Sequence, residues 1–288
     1  VSIANTISAV LVAGTGFMGS SIAYLLASKT SAEVYLYDKD TNALLKAEHA
    51  IAKIGEDSLQ GGFLTKDELN SSKSRLHTLN NLEELPHCNL VIEAIVEELD
   101  TKKELFRILD NKCRESTILA SNTSSLSITS LAAATSRSDR FIGMHFFAPA
   151  HKMKLLELIP GLGTSESTLK FVSELGKQLG KTVITSKDAP GFITTRLGMV
   201  LLNEAAFALM EGLSSAEEID QGMQLGYNHP MGPLALADFI GLDVCLNIME
   251  AMHKNFGDPK YRPCLLLKQL VSAGYLGKKS GRGFYKYS

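Results

Sequence analysis

The sequence predicts an α/β domain with a doubly wound sheet, followed by an all-helical domain, and three observations carry that expectation. A buried strand runs into a glycine turn and a helix, a second strand ends in an acid, and beyond Asp188 only helical periodicity remains.

Ile7 to Ala13 reads as the first strand, followed by Gly14-Thr15-Gly16-Phe17-Met18-Gly19 and the helix SSIAYLLASK; Glu33 to Tyr37 is the next strand, closed by Asp38. Asp38 falls 19 residues after Gly19 (38 minus 19), close to the spacing of a Rossmann βαβ unit. In such a unit Gly14 permits the tight turn, Gly16 admits a pyrophosphate and Gly19 lets helix and strand pack, while the helix N-terminus faces the phosphates. Asp38 would accept from ribose hydroxyls and repel a 2'-phosphate, which favours NAD over NADP; the alternative is a helix cap for Thr41 onward.

From about residue 41 to 76 an insert reads as two helices, ALLKAEHAIAKI and TKDELNSSKSRL, with a loop EDSLQGGF between them and a capping box at Thr65 and Glu68. It is expected to stand away from the sheet as a cleft wall or as a solvated hairpin. Leu90 to Ala94 is the next strand, and Asp100 opens the helix TKKELFRILDNK; Glu97 and Lys102 then lie where a cofactor would, or form a surface pair.

Thr117 to Ala120 and Phe141 to Met144 are strands that deliver Ser124, in ASNTSS, and His145 to the ligand-binding edge. The ASNTSS run also suits capping of SITSLAAA. Lys154 to Ile159 leaves Glu157 as a lone acid in an apolar segment, where a partner is expected. If Glu157 holds one ring nitrogen of His145, the other is free to take a proton from a hydroxyl whose oxygen Ser124 would bind; the alternative is a buried histidine satisfied by a carbonyl.

Ser165 to Leu179 is a helix, Thr182 to Thr185 a last strand, and Asp188-Ala189-Pro190-Gly191 a boundary, which divides the chain into 1–189 and 190–288. The second part reads as helices ITTRLGMVLLNEAAFALMEG, SSAEEIDQGMQLG, with capping boxes at Ser214/Glu217 and Ser215/Glu218, and LALADFIGLDVCLNIMEAMHK. His229, before Pro230 in a rigid turn, suits a structural place better than a catalytic one. So much apolar helix surface predicts a homodimer through this domain.

Composition narrows the classes. With 45% hydrophobic residues and a net charge of −2, the chain is an ordinary globular protein without a nucleic-acid or anionic-membrane footprint. Cys88, Cys113, Cys245 and Cys264 form no Cys-x-x-Cys pair, which fits a reducing compartment without zinc or disulfides. ISAVLVAG reads as a strand and not a signal peptide, and Leu197 to Met210 is too short to span a bilayer, so a soluble cytoplasmic or organellar-matrix protein is expected.

Taken together, GTGFMG, VIEAIVE, ILASNTSSLSIT, GMHFF, MKLLELI, DAPGF, NHPMGP, DFIGLD and GKKSGRGFYKY resemble the 3-hydroxyacyl-CoA dehydrogenase family, especially its short-chain 3-hydroxybutyryl-CoA members, over nearly the whole chain. The resemblance implies His145 as catalytic base, Glu157 as its orienting carboxylate and Ser124 as the residue on the substrate oxygen. It also implies Ala94, Glu97, Lys102 and Lys279 around the nicotinamide cofactor and Asn122 in the active-site turn. The implied reaction is reversible hydride transfer between an L-3-hydroxyacyl-CoA and NAD, a step of fatty acid metabolism that requires no metal.

Three departures stand out from the family pattern. Ala148 and Thr195 replace asparagines on the active-site side, Thr195 keeping one hydroxyl for a substrate carbonyl, and Ser58-Leu59-Gln60-Gly61-Gly62 replaces a lysine-rich turn facing the CoA nucleotide. The third motivates an alternative, a dehydrogenase of a carrier-protein thioester or free hydroxy acid; a further alternative is an NAD-binding protein without the chemistry.

Overall fold

The computed structural model describes residues 7–287; residues 1–6 and 288, the ends of the two predicted domains, lie outside the described residues. The chain forms two compact units, Val1–Ala189 and Pro190–Ser288.

The first unit is built on β1 (Ala9–Ala13), β2 (Glu33–Tyr37), β3 (Leu76–Leu79), β4 (Leu90–Glu93), β5 (Ile118–Ser121), β6 (Phe141–Phe146), β7 (Leu155–Pro160) and β8 (Thr182–Thr185). They make one sheet in the order β3-β2-β1-β4-β5-β6-β7-β8. Every pairing is parallel except β6 with β7. The order reverses between β1 and β4, which opens a crevice at their carboxyl ends. β1 is buried along its whole length, as its unbroken apolar run AVLVA requires. The α/β class read from the sequence therefore stands.

Helix α1 (Phe17–Lys29) follows the glycine turn, and α2 (Thr41–Gln60) and α3 (Lys66–Ser74) form the insert. The insert does not stand away from the sheet. Leu44, Ala47 and Ile51 join the core cluster that holds Ile22 and Leu26 of α1, and a Cβ on Gly55 would press on Leu69 and Tyr24. The stretch 56–60, expected as loop, continues α2, since nothing in EDSLQ breaks a helix until Gly61 and Gly62, the latter at φ +70°. Strand β3 escapes sequence pattern because LHTL is a four-residue edge strand with no alternation, paired on one side alone. α4 (Leu99–Lys112), α5 (Ile128–Ala132) and α6 (Glu166–Gln178) complete the unit.

The second unit comprises α7 (Thr194–Met210), α8 (Ala216–Tyr227), α9 (Pro233–Ile240), α10 (Leu242–Phe256) and α11 (Leu265–Ser272) around a core that includes Leu202, Leu234, Met249 and Tyr261. The single helix expected from Leu234 to Lys254 is two, because Gly241 sits at φ +107°, a turn only glycine takes without strain. Ser215 and Glu218 form the capping box of α8, while Ser214 bonds Glu218 and not Glu217. The backbone N–H of His229 bonds Met223, closing α8 behind a left-handed Asn228. Among the described residues no helix is long and apolar enough to cross a membrane. Cys88, Cys113, Cys245 and Cys264 are free thiols.

Candidate active site

The glycine turn is shaped by what surrounds it. Gly14 has φ +97°, and a Cβ there would meet the backbone of Ala94 and Ile95 at the end of β4; a Cβ on Gly19 would overlap the Gly14 carbonyl. Gly16 has nothing within 4 Å of where its Cβ would be. It caps α1 without a side chain, and the first turn of α1 carries no acid. Phe17 is exposed and Met18 half-buried beside this open N-terminus. Glycine-lined space before an uncapped helix suits a dinucleotide pyrophosphate.

Across the turn, Asp38 accepts from the Thr15 N–H at 2.9 Å and the Thr15 hydroxyl at 3.1 Å, and from the Asp40 N–H at 3.1 Å. Asp40, not Asp38, caps α2 through the Asn42 N–H. That removes the capping alternative for Asp38, whose carboxylate lies beside the glycine turn where a ribose would be held. Thr15, which no motif role singled out, ties turn and acid together.

Glu97 and Lys102 are no surface pair. Lys102 is 1% exposed, and its Nζ lies 2.5 Å from Glu93 Oε1 and 3.2 Å from Glu97 Oε2. Glu97 Oε1 accepts from Thr123 Oγ1 at 2.5 Å, from the N–H groups of Ser124 and Ser125 at 2.9 and 3.2 Å, and from their hydroxyls. The serine turn is thus sewn to Glu97, while capping of α5 falls to Ser127 and Asp188. Burial pushes the Glu97 carboxyl up, but Lys102 and the hydroxyl and N–H donors outweigh it and hold the group below its ordinary value.

The antiparallel pairing of β6 with β7 sets His145 directly opposite Glu157. His145 Nδ1 is 3.2 Å from Glu157 Oε2, with the imidazole 9% exposed and the acid fully buried. His145 is the penultimate residue of β6 and Glu157 sits inside β7, so the pair lies within the sheet edge and not beyond the strand ends. Asn122 Oδ1 accepts the Phe146 N–H at 2.9 Å, joining the end of β5 to the residue after His145. The Phe147 ring lies 4.5 Å from the imidazole.

Beyond Phe147 the chain turns through a cis Ala148–Pro149 bond, and Lys181 Nζ donates to the carbonyls of Ala150 and Met153 at 2.5 and 2.7 Å. His151 Nδ1 lies 2.7 Å from Ser21 Oγ on α1. Burial, with Lys152 and Lys181 nearby, pulls the His151 imidazole below its ordinary value. Thr195 and Lys279 belong to the helical unit, Thr195 in the first turn of α7 and Lys279 with its ammonium 2.6 and 2.7 Å from the Asp243 oxygens.

Pattern reading missed Glu93. Its signal was present, since VIEA contains a lone acid in an apolar segment just as LLELI does. Among the described residues no group of three or more His, Cys, Asp or Glu side chains is placed to hold a metal.

Residues 9–189 match the NAD binding domain model of 3-hydroxyacyl-CoA dehydrogenase and residues 191–287 its C-terminal domain model. A probable 3-hydroxybutyryl-CoA dehydrogenase of Bacillus subtilis is 49% identical over 98% of both chains. The human mitochondrial hydroxyacyl-coenzyme A dehydrogenase is 41% identical over 96% of this chain and 90% of its own. Among solved structures, the (S)-3-hydroxybutyryl-CoA dehydrogenase of Ralstonia eutropha superposes with a TM-score of 0.95 at 47% identity, over 98% of this chain and 99% of that one.

Proposed function

We propose that this chain, which belongs to the 3-hydroxyacyl-CoA dehydrogenase family, oxidises a short-chain L-3-hydroxyacyl-CoA such as 3-hydroxybutyryl-CoA, reversibly and with NAD. The observation that carries the mechanism is the buried, register-paired His145 and Glu157 at the sheet edge. Glu157 holds Nδ1–H of the imidazole, which fixes the tautomer and makes Nε2 the nitrogen that takes the proton of the substrate hydroxyl. Ser124 binds that oxygen from the turn that Glu97 secures, and Asn122 keeps the ends of β5 and β6 together. When bound, NAD would supply the hydride acceptor for the 3-carbon. Gly14, Gly16 and Gly19 with the N–H groups at Phe17 and Met18 would hold its pyrophosphate and Asp38 its adenosine ribose; Ala94, Ser124 and Glu97, the last braced by Lys102, would complete its surroundings. In the reverse direction His145 returns the proton to the ketone oxygen.

The helical unit leaves Leu213, Leu225, Tyr227 and Phe239 exposed, which supports a homodimer through this unit. The place of action is the cytoplasm, or the organellar matrix in keeping with the mitochondrial relatives.

The test follows NADH absorbance with acetoacetyl-CoA and with the matching carrier-bound thioester. Rapid turnover of the CoA ester is expected. The tip of the insert, Gln60 to Phe63, is exposed and holds no lysine to grip CoA phosphates, so a strong preference for the carrier-bound ester would move the reading to that substrate. No turnover of either would contradict it.

A further inference from the structure

The proposed reaction leaves one buried acid of the site without a task. Glu93 closes β4 at 0% exposure, and both of its oxygens are occupied: Oε2 accepts from Ser121 Oγ at 2.6 Å, and Oε1 accepts from Lys102 Nζ at 2.5 Å and the Ile95 N–H at 2.7 Å. We infer that Glu93 is a positioning residue that sets the Ser124 turn by acting through Lys102 and Glu97. The role of Ser124 itself rests on the function proposed above.

The contacts have an order. Glu93 is fixed to the sheet by Ser121 at the end of β5 and by its own strand's continuation, and it needs no adjustment. Lys102 reaches from α4 and is shared between two carboxylates. Glu97 divides its two oxygens, Oε2 toward Lys102 and Oε1 toward the hydroxyls and N–H groups of residues 123–125. Lys102 is 1% exposed and the Glu97 side chain 38%, and a buried ammonium left with one carboxylate partner draws that partner toward itself. Removing the Glu93 charge would pull Glu97 toward Lys102 and off the serine turn. Glu93 thereby holds Lys102 back and leaves Glu97 free to shape the turn. Burial pushes the Glu93 carboxyl above its ordinary value, opposed by Lys102 and by the donors on both of its oxygens. Lys102, closed off from solvent, then serves the cofactor side through Glu97 and not by direct reach.

The test is amide hydrogen exchange on the cofactor-free full chain. Glu93→Gln is expected to speed exchange at Ser124 and Ser125 by about tenfold or more while the β6 and β7 amides keep their rates. Ser121→Ala, a milder change, should move the same two amides by a smaller factor. In a Lys102→Met background, adding Glu93→Gln should alter those amides by no more than about twofold, because the intermediary is gone. With acetoacetyl-CoA, Glu93→Gln should lower kcat by about tenfold and change the thioester KM by less than about threefold. Wild-type exchange at both serines in Glu93→Gln, or an undiminished Glu93→Gln effect in the Lys102→Met background, would overturn the inference. Should Glu93→Gln fail to fold, Ser121→Ala with and without Lys102→Met decides, because the Ser121 hydroxyl also accepts the Thr123 N–H at 3.3 Å; unchanged serine amides, or an effect that Lys102→Met leaves undiminished, would overturn it. The exchange result is independent of turnover, so it stands or falls apart from the proposed reaction.

Discussion

In the sheet unit the buried carboxylates Glu93 and Glu157 meet an ammonium and an imidazole, whereas in the helical unit Asp220 and Asp238 meet backbone N–H groups and tyrosine hydroxyls. Asp238 accepts from Phe284 N–H, Tyr285 N–H and the Tyr287 hydroxyl, each at 2.9 Å, and Asp220 from Leu234 N–H, Ala235 N–H and the Tyr285 hydroxyl. Glycines make room for both, since a Cβ on Gly232 would overlap Asp220 and one on Gly283 would overlap Asp238. Burial, then the bonds to these aspartates, push the Tyr285 and Tyr287 phenols up from their ordinary value. The contrast separates two uses of a buried acid. Donors that are fixed backbone or neutral hydroxyls hold a fold, while donors that can carry or lose a proton, or that sit on a turn, serve chemistry.

The contrast predicts that changes in the first unit cost rate and changes in the second cost stability. His145→Gln should lower kcat by about 10³–10⁴-fold with little change in melting temperature, checked by NADH absorbance and calorimetry. Glu157→Gln keeps shape but no longer fixes the tautomer, and a fall of about 10²-fold in kcat is expected. Asp238→Asn turns an amide toward donors and should cost about 3 kcal/mol of stability, seen in denaturant unfolding, with kcat of the folded fraction kept within about threefold. A large loss of rate without loss of stability in Asp238→Asn would break the contrast.

Asp38→Ala sharpens it from the cofactor side. The KM for NAD should rise by about tenfold and discrimination against NADP should shrink, measured as the ratio of kcat/KM for the two.

The smallest effect concerns pH. His151 has an imidazole value pulled below the ordinary one of about 6.5, so just below that pH the unfolded chain binds more protons than the folded chain. Its contribution to stability is complete above the ordinary value and is lost as pH falls through the lowered one. His151→Gln should flatten the stability profile on the acid side; an unchanged slope would remove His151 from the account.

Legibility followed the same division. The lone acid in LLELI and the histidine in GMHFF announced themselves because a charge in an apolar strand needs a reason, and the glycine turn with Asp38 carried its context in one βαβ unit. The register that pairs His145 with Glu157 was not legible, since nothing in either segment says that β7 runs antiparallel to β6. Glu93 carried the same signal as Glu157 but lay in a strand already explained by its apolar neighbours. In the helical unit, Asp220 sits among polar residues of its helix while Asp238 is the lone acid of LALADFI, and the donors to Asp238, with the Tyr285 hydroxyl on Asp220, come from residues 284–287, a long-range closure that local periodicity cannot express. Strand β3 and the break at Gly241 failed for local reasons, one a short edge without alternation and the other a glycine inside an otherwise continuous apolar pattern.

The central claim is that the buried pair of His145 and Glu157 moves the substrate proton. The most direct measurement is the single-turnover rate of L-3-hydroxybutyryl-CoA oxidation by the wild type, His145→Gln and Glu157→Gln, with NADH binding followed by fluorescence. A fall of about 10³–10⁴-fold in His145→Gln and about 10²-fold in Glu157→Gln is expected, with NADH affinity unchanged in both. Full single-turnover activity in either variant would contradict it.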